Sequence, residues 1–86
     1  MYIQNYIIKN KTGLHARPAS MFVKMTSQFK CDVRLRKGEN EIDAKSMIAV
    51  LTLEAGQGST ISIITDGEDE NRAMEELVGL LDTFNG

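Results

Sequence analysis

Hydrophobic and polar positions change their spacing several times along the chain, and each change predicts a different element. Residues 2–8 are rich in β-branched and aromatic side chains, which is typical of a strand. From Ala16 the spacing becomes helical, with Ala19, Phe22, Val23 and Thr26 on one face. We therefore predict a strand over residues 2–8, a polar loop over 9–14 and a helix from about residue 16 to 28.

The middle of the chain predicts a hairpin and a short helix. Residues 31–36 alternate apolar and charged side chains, 37–40 are typical of a turn, and 41–44 return as a strand. Ser46 suits a helix N-cap, where its hydroxyl accepts a hydrogen bond from a following backbone N–H. A short second helix follows, with Ile48, Leu51 and Thr52 at helical spacing and with Val50 and Leu53 beside them. It is broken by residues 55–59.

The last third predicts one more strand and one more helix. Residues 60–65 alternate as a strand, which ends at Asp66-Gly67. The acidic residues 68–70 are predicted to form a first helical turn, because negative charge is favourable at a helix N-terminus. Met74, Leu77, Val78 and Leu81 form that helix's apolar face, and Asn85-Gly86 end the chain. The order β-α-β-β-α-β-α predicts a two-layer α+β fold with an antiparallel sheet, and the pattern leaves the strand order open.

Length and composition limit the classes of protein to consider. A chain of 86 residues predicts a single domain over 1–86, and 42% hydrophobic and 26% charged residues are ordinary for a soluble domain. The formal net charge of −2 argues against nucleic-acid binding through a basic face. Nine of the ten basic residues precede residue 46, whereas six of the twelve acidic residues lie in 68–82. An acidic protein partner near the basic half is therefore expected.

Cysteine content and hydropathy predict the compartment. Cys31 is the only cysteine, so no internal disulfide is possible. We expect it to open the second strand as a small buried residue rather than a reactive thiol. Neither a signal segment nor a membrane-spanning apolar run is evident, so we expect a cytoplasmic protein that does not bind membranes.

The stretch Gly13-Leu14-His15-Ala16-Arg17-Pro18-Ala19 carries the candidate chemistry. It holds the only histidine and the only proline, at the junction between the strand pattern and the helix pattern. A neutral imidazole is a nucleophile near neutral pH, and a helix N-terminus offers free N–H groups to an anion. Arg17 adds a cation suited to phosphate oxygens, and Pro18 fits the first helical turn. A histidine that is phosphorylated is one interpretation; a simple cap, surface or core histidine is the other.

This stretch resembles the active-site signature of the HPr family, the histidine-containing phosphocarriers of the bacterial sugar phosphotransferase system. A second stretch, Lys45-Ser46-Met47-Ile48, resembles the regulatory serine region of HPr in Gram-positive lineages, and the resemblance covers essentially the whole chain. It implies an open-faced β-sandwich, in which three helices cover one face of a four-stranded antiparallel sheet.

The resemblance also implies the activity. His15 would accept a phosphoryl group on Nδ1 from enzyme I and pass it to a histidine of a sugar-specific enzyme II A component. Arg17 would assist the transfer, and the backbone N–H groups of Ala16 and Arg17 would bind the phosphate. The protein would be a stoichiometric carrier and not an enzyme with its own turnover. We expect no cofactor, because enzyme I draws on phosphoenolpyruvate, and no metal site.

Ser46 is the second candidate site, and the resemblance implies its regulatory phosphorylation. In Gram-positive members an ATP-dependent HPr kinase/phosphorylase modifies this serine, and the product is a corepressor with a catabolite-control transcription factor. The alternative interpretation is that Ser46 is an ordinary N-cap. The residue can be an N-cap and a regulatory site at the same time. This chain has Ser46-Met47-Ile48-Ala49 where the Gram-positive pattern commonly has Ser-Ile-Met-Gly, a swap that preserves apolar volume.

A partner-binding surface is expected around these sites on a monomer. It comprises Thr12, Ala16, Ala19, Ser20, Met47, Ile48 and Leu51. Met21, Met25 and Met74 are interpreted as core residues, whereas Met47 follows an exposed cap and suits a surface that meets several partners. The alternative function is a regulatory binding module that acts mainly through Ser46. A hydrolase is disfavoured, because no paired carboxylates or metal-ligand spacing accompany the motif.

Overall fold

The computed structural model describes residues 1–84, which form four strands and three helices in the predicted order. The predicted end at Asn85-Gly86 lies outside these residues. The elements are β1 (Tyr2–Ile7), α1 (Ala16–Thr26), β2 (Asp32–Lys37), β3 (Asn40–Asp43), α2 (Met47–Thr52), β4 (Thr60–Asp66) and α3 (Glu70–Thr83). The α+β prediction is therefore confirmed.

All four strands belong to one antiparallel sheet with the order β1-β4-β2-β3. β4 lies in the middle, pairing Asn5 with Ser62 on one side and Leu35 with Ile63 on the other. The predicted hairpin is present, with Leu35 opposite Ile42. Chain order alone could not give this arrangement, because β1 and β2 are each paired with β4 rather than with each other.

Alternation along the strands decides which face of the sheet the helices cover. Val33 and Leu35 in β2 are buried, whereas the flanking Asp32, Arg34 and Arg36 are exposed. In β4 the side chains of Ile61, Ile63 and Thr65 are fully buried. They join Phe22 of α1, Val50 of α2 and Leu77 of α3 in one core. The result is the open-faced sandwich that the resemblance implied.

Several predicted boundaries are wrong by one or two residues. β1 ends at Ile7 rather than residue 8, α1 ends at Thr26 rather than 28, and β3 spans 40–43 rather than 41–44. Cys31 does not open β2, because its backbone N–H donates to the Asp69 carboxylate (2.9 Å) instead of to a neighbouring strand. Cys31 is buried as predicted, and burial raises the pKa of its thiol to about 11, so it is not a thiolate at neutral pH.

The spacing of Ile48, Leu51 and Thr52 predicted the second helix, but these residues do not form its buried face. Val50 and Leu53 are buried, whereas Ile48, Leu51 and Thr52 face solvent. In so short a helix the spacing pattern fits more than one face. Contact with α1 and β3 decides which of them turns inward.

The start of the third helix also differs from the prediction. Of the three acidic residues 68–70, only Glu70 lies in the first turn of α3. Asp69 occupies the N-cap position, and its side chain makes no capping hydrogen bond to its own helix. The Asp69 carboxylate instead accepts hydrogen bonds from the backbone N–H groups of Lys30 and Cys31, both at 2.9 Å. These donors lower the Asp69 pKa to about 2. The Asp69 charge, which was predicted to complement the dipole of its own helix, thus binds the backbone of the loop before β2.

Candidate functional site

His15 is the N-cap residue of α1, in an extended backbone conformation (φ −92°, ψ −166°). Its carbonyl accepts the N–H of Ala19 at 2.8 Å, and its Nδ1 accepts the N–H of Ala16 at 3.0 Å. A backbone N–H can only donate, so this hydrogen bond requires an Nδ1 that carries no hydrogen. The imidazole is exposed. The nitrogen whose lone pair accepts this hydrogen bond therefore lies at the mouth of the helix, where the sequence predicted the histidine.

The first turn of α1 supplies two backbone N–H groups, because Pro18 has none. The N–H of Ala16 already binds the imidazole, and the N–H of Arg17 has no intrahelical acceptor at this position. The Arg17 side chain is exposed and takes part in none of the ion pairs found within residues 1–84. An oxyanion on Nδ1 would thus meet a helix N-terminus and have an uncommitted guanidinium two residues away.

A packed loop fixes the approach to His15. Gly13 has a left-handed φ of +62°, and a Cβ there would lie 2.2 Å from the carbonyl oxygen of Ala55. Leu14 N–H donates to that same Ala55 oxygen at 2.8 Å. The nearly buried Asn10 closes the loop by donating from Nδ2 to the Gly13 carbonyl at 2.9 Å. The histidine is held by backbone contacts to residues 55–56, which are distant in sequence.

A surface depression of about 440 Å³ lies beside the imidazole. It brings together the loop before α1, the end of α2 and the segment that follows α2. Its lining residues are Thr12, Leu14, His15, Leu51, Glu54, Ala55 and Gly56. Two members of the predicted partner surface, Thr12 and Leu51, therefore lie next to the candidate nucleophile.

Ser46 is the N-cap of α2, as predicted. Its Oγ accepts the N–H of Ala49 at 3.3 Å, and the residue is half-buried. The neighbouring Lys45 is engaged elsewhere, because its Nζ donates to the Phe29 carbonyl at 2.8 Å. Ile48, two residues beyond the cap, is 75% exposed. A charge added at Ser46 would lie at a helix N-terminus beside an exposed apolar side chain.

The remaining members of the predicted partner surface divide into three groups. Ala16, Ser20 and Ile48 are exposed, and Met47 is half-buried against the core. Ala19 has no exposed area, so its assignment to the surface is wrong. It belongs to the buried face of α1, which its spacing with Phe22 and Val23 had already indicated.

Sequence reasoning missed one exposed apolar residue of the same helix. Met21 is 45% exposed, although it was interpreted as core, whereas Met74 is buried and Met25 packs against the core. The signal was available, because Met21 lies off the stripe of apolar residues that defines the buried face. α1 and α2 pack against each other, so exposed apolar residues occur on two neighbouring helices.

Other kinds of site find no support in the described part of the chain. Residues 1–84 contain no group of three or more histidine, cysteine, aspartate or glutamate side chains able to hold a metal ion. Among the same residues, none of the helices combines the length and apolar character needed to span a bilayer.

Known proteins resemble this chain in sequence and structure over nearly all its length. Residues 3–83 match the family described as PTS HPr component phosphorylation site. The phosphocarrier protein HPr of Neisseria meningitidis is 38% identical over 86 residues, covering 100% of this chain and 97% of that protein. The HPr-like protein Crh of Halalkalibacterium halodurans is 41% identical over 75 residues, covering 87% and 89%.

The solved HPr of Thermoanaerobacter tengcongensis has the same fold. One crystal structure gives a TM-score of 0.94 at 37% identity, covering 96% of this chain and 93% of that one. A second structure, described as an HPr dimer, gives 0.78 at 37% identity and covers 96% and 95%. The chain belongs to the HPr family of phosphocarrier proteins of the phosphotransferase system.

Proposed function

We propose that His15 accepts a phosphoryl group on Nδ1 from enzyme I and donates it to an enzyme II A component. The observation that carries this proposal is the hydrogen bond from Ala16 N–H to Nδ1, which keeps a lone pair on that nitrogen at the helix mouth. Nδ1 would attack phosphorus. The bond from phosphorus to the donor atom would break, and its electron pair would stay with the donor atom. In the next transfer a histidine nitrogen of the enzyme II A component would form the new bond to phosphorus, and the P–N bond would break with its electron pair returning to Nδ1.

Backbone N–H groups and Arg17 would hold the phosphoryl oxygens. Once Nδ1 has used its lone pair, the Ala16 N–H loses its acceptor and becomes free to donate to a phosphoryl oxygen beside the Arg17 N–H. The guanidinium of Arg17 would oppose the new negative charge and follow it during transfer. His15 would take up one phosphoryl group and pass the same group on, so we infer a stoichiometric carrier rather than an enzyme. We infer no cofactor, because enzyme I draws on phosphoenolpyruvate.

Partner proteins would dock around the depression. We infer that Thr12, Ala16, Ser20, Met47, Ile48 and Leu51 contribute, with exposed Met21 added and buried Ala19 removed. The carrier would act in the cytoplasm without binding membranes or nucleic acid, in keeping with its net charge of −2. We infer a monomer. Because one structure of a T. tengcongensis relative is described as a dimer, light scattering should test this inference.

Ser46 would be a regulatory site modified by an HPr kinase/phosphorylase. Its exposed apolar neighbour Ile48 supports this role, because a phosphate there would change the charge of a surface suited to partner binding. The phosphorylated form would slow transfer from enzyme I and bind a catabolite-control transcription factor. A module that acts mainly through Ser46 is the second candidate, favoured by the 41% identity to the HPr-like protein Crh.

Phosphorylation by enzyme I tests the proposal. The protein is incubated with enzyme I and labelled phosphoenolpyruvate, beside His15→Ala and Arg17→Lys. We expect acid-labile label on the wild type, none on His15→Ala, and slower labelling of Arg17→Lys, which keeps the charge but loses the planar fork of donors. No label on the wild type, with enzyme I active on a known HPr, would overturn the carrier role. Acid-stable label from ATP and a kinase would then support the Ser46 module.

A further inference from the structure

Glu54 has an unusual backbone conformation next to the candidate site. Its φ is +54°, and among residues 1–84 it is the only residue other than glycine with a positive φ. This left-handed region is unfavourable for residues that carry a Cβ. Glu54 directly precedes Ala55, whose carbonyl anchors Leu14 and thereby the loop that carries His15. A glycine would adopt this backbone conformation with less strain, so the backbone gives no reason for a glutamate at this position.

Lys37 binds this segment from the β2–β3 hairpin. Its Nζ donates to the backbone carbonyl of Glu54 at 2.8 Å. None of the ion pairs within residues 1–84 includes the Glu54 carboxylate, and the residue is exposed. The ammonium thus secures the backbone while the carboxylate keeps its own charge unpaired.

Among the residues that line the depression, Glu54 is the one that carries a permanent charge. Of the residues that line it, Thr12, Leu14, Leu51, Ala55 and Gly56 are uncharged, and His15 is charged only when protonated. A phosphoryl group on His15 would bring up to two further negative charges to the same depression. The Glu54 charge and the phosphoryl charge would repel each other, and none of the residues that line the depression carries a permanent positive charge.

We propose that Glu54 weakens the hold of the site on the phosphoryl group and so favours its release. This inference rests on the proposed phosphorylation of His15. It gives the negative charge of Glu54 an effect on the phosphoryl group opposite to that of the positive charge of Arg17. Arg17 and the helix N-terminus stabilise the phosphorylated state, and Glu54 destabilises it. A carrier needs both effects, because a phosphoryl group that is bound too tightly cannot be passed on.

The affected step is cleavage of the P–N bond. The phosphoryl group leaves with its oxygens, the bonding electron pair returns to the imidazole nitrogen, and a water oxygen or an acceptor histidine forms the new bond to phosphorus. A nearby carboxylate raises the energy of the phosphorylated ground state.

Chemical phosphorylation tests this without any partner protein. Phosphoramidate transfers its phosphoryl group to His15 and releases ammonia, and phosphorus NMR then follows hydrolysis of the phosphohistidine to inorganic phosphate. The variants are Glu54→Gln, which removes the charge, and Glu54→Gly, which removes charge and strain. Glu68→Gln is the matched control, because exposed Glu68 follows the far end of β4, whose seven residues span roughly 20 Å.

We expect both Glu54 variants to lengthen the phosphohistidine half-life by about two- to threefold at low salt, a modest exposed-charge effect. The difference should shrink towards none at 1 M salt, where screening acts over about 3 Å. Glu68→Gln should match the wild type. Equal half-lives for Glu54→Gln and wild type, or an effect confined to Glu54→Gly, would overturn the proposal.

The two proposals fail in different ways. A wild type that phosphoramidate labels but enzyme I does not would overturn the carrier function and leave the Glu54 effect measurable. Labelling by enzyme I, together with equal phosphohistidine half-lives for Glu54→Gln and the wild type, would support the carrier function and overturn the role of Glu54. A wild type that neither donor labels at His15 would overturn both.

Discussion

Nδ1 of His15 lies 3.0 Å from the backbone nitrogen of Ala16 and accepts its hydrogen bond. This contact makes the histidine side chain the cap of its own helix. The contact requires the neutral ring to carry its hydrogen on Nε2.

The first prediction concerns that tautomer. In the neutral protein, Nδ1 should be the unprotonated nitrogen and Nε2 should carry the hydrogen, because the Ala16 N–H needs an acceptor. Nitrogen-15 NMR of the imidazole at mildly alkaline pH distinguishes the two forms by chemical shift. A majority of the form protonated at Nδ1 would contradict the capping bond, and Ala16 amide exchange provides an independent check.

The second prediction concerns Gly13. A Cβ at this position would lie 2.2 Å from Ala55 O and 2.6 Å from Gly56 Cα, both backbone atoms that cannot move aside easily. We expect Gly13→Ala to lower the free energy of unfolding by about 2–4 kcal/mol, combining a left-handed strain with a clash. Gly38→Ala is the matched control, with a φ of +61° and open space around the added Cβ. It should cost about 1 kcal/mol. Equal losses in urea unfolding would contradict the clash.

The third prediction separates strain from charge at Glu54. Replacing it by glycine should raise the free energy of unfolding by about 0.5–1 kcal/mol, because relief of the left-handed backbone exceeds the added flexibility of the unfolded chain. Glu54→Gln keeps the Cβ and should leave stability within about 0.5 kcal/mol of the wild type. Denaturant unfolding measures both. A stabilisation by glutamine equal to that by glycine would mean that charge, not the backbone, is the source.

The fourth prediction concerns the cap of α2. Ser46→Ala should lower the free energy of unfolding by about 1 kcal/mol, since the Ala49 N–H loses its acceptor. Ser46→Asp keeps an acceptor and places a negative charge at the helix N-terminus, so it should be close to the wild type in stability. If Ser46→Asp instead unfolds the protein, a phosphate at Ser46 would act by disrupting the fold rather than by changing a binding surface.

The fifth prediction concerns acid stability. The backbone N–H groups of Lys30 and Cys31 hold the Asp69 pKa at about 2, below its ordinary value. A lowered carboxylate pKa contributes stability above the unfolded-state pKa, near 3.9, and that contribution is lost as pH falls towards the folded-state value. Wild-type stability should therefore fall between about pH 4 and pH 2. Asp69→Asn should be less stable at pH 7 and lose less over this interval; Asp66→Asn serves as an exposed control in the same acid titration by circular dichroism.

The sequence by itself determined the element order, the antiparallel α+β class and the place of His15 at a helix start. These follow from local causes: alternation in β2 and β4, helical spacing in α1 and α3, and a proline that suits a first turn. The resemblance of residues 13–19 to the HPr signature supplied the family and the open-faced sheet.

Only the tertiary structure decided the contacts between segments that are distant in the chain. It paired β1 with β4, turned Val50 rather than Ile48 inward, and directed the Asp69 carboxylate to the loop before β2. It also placed Glu54 and His15 in the lining of one depression. None of these is encoded in local spacing, because each depends on which surface packs against which once the sheet and helices share one core.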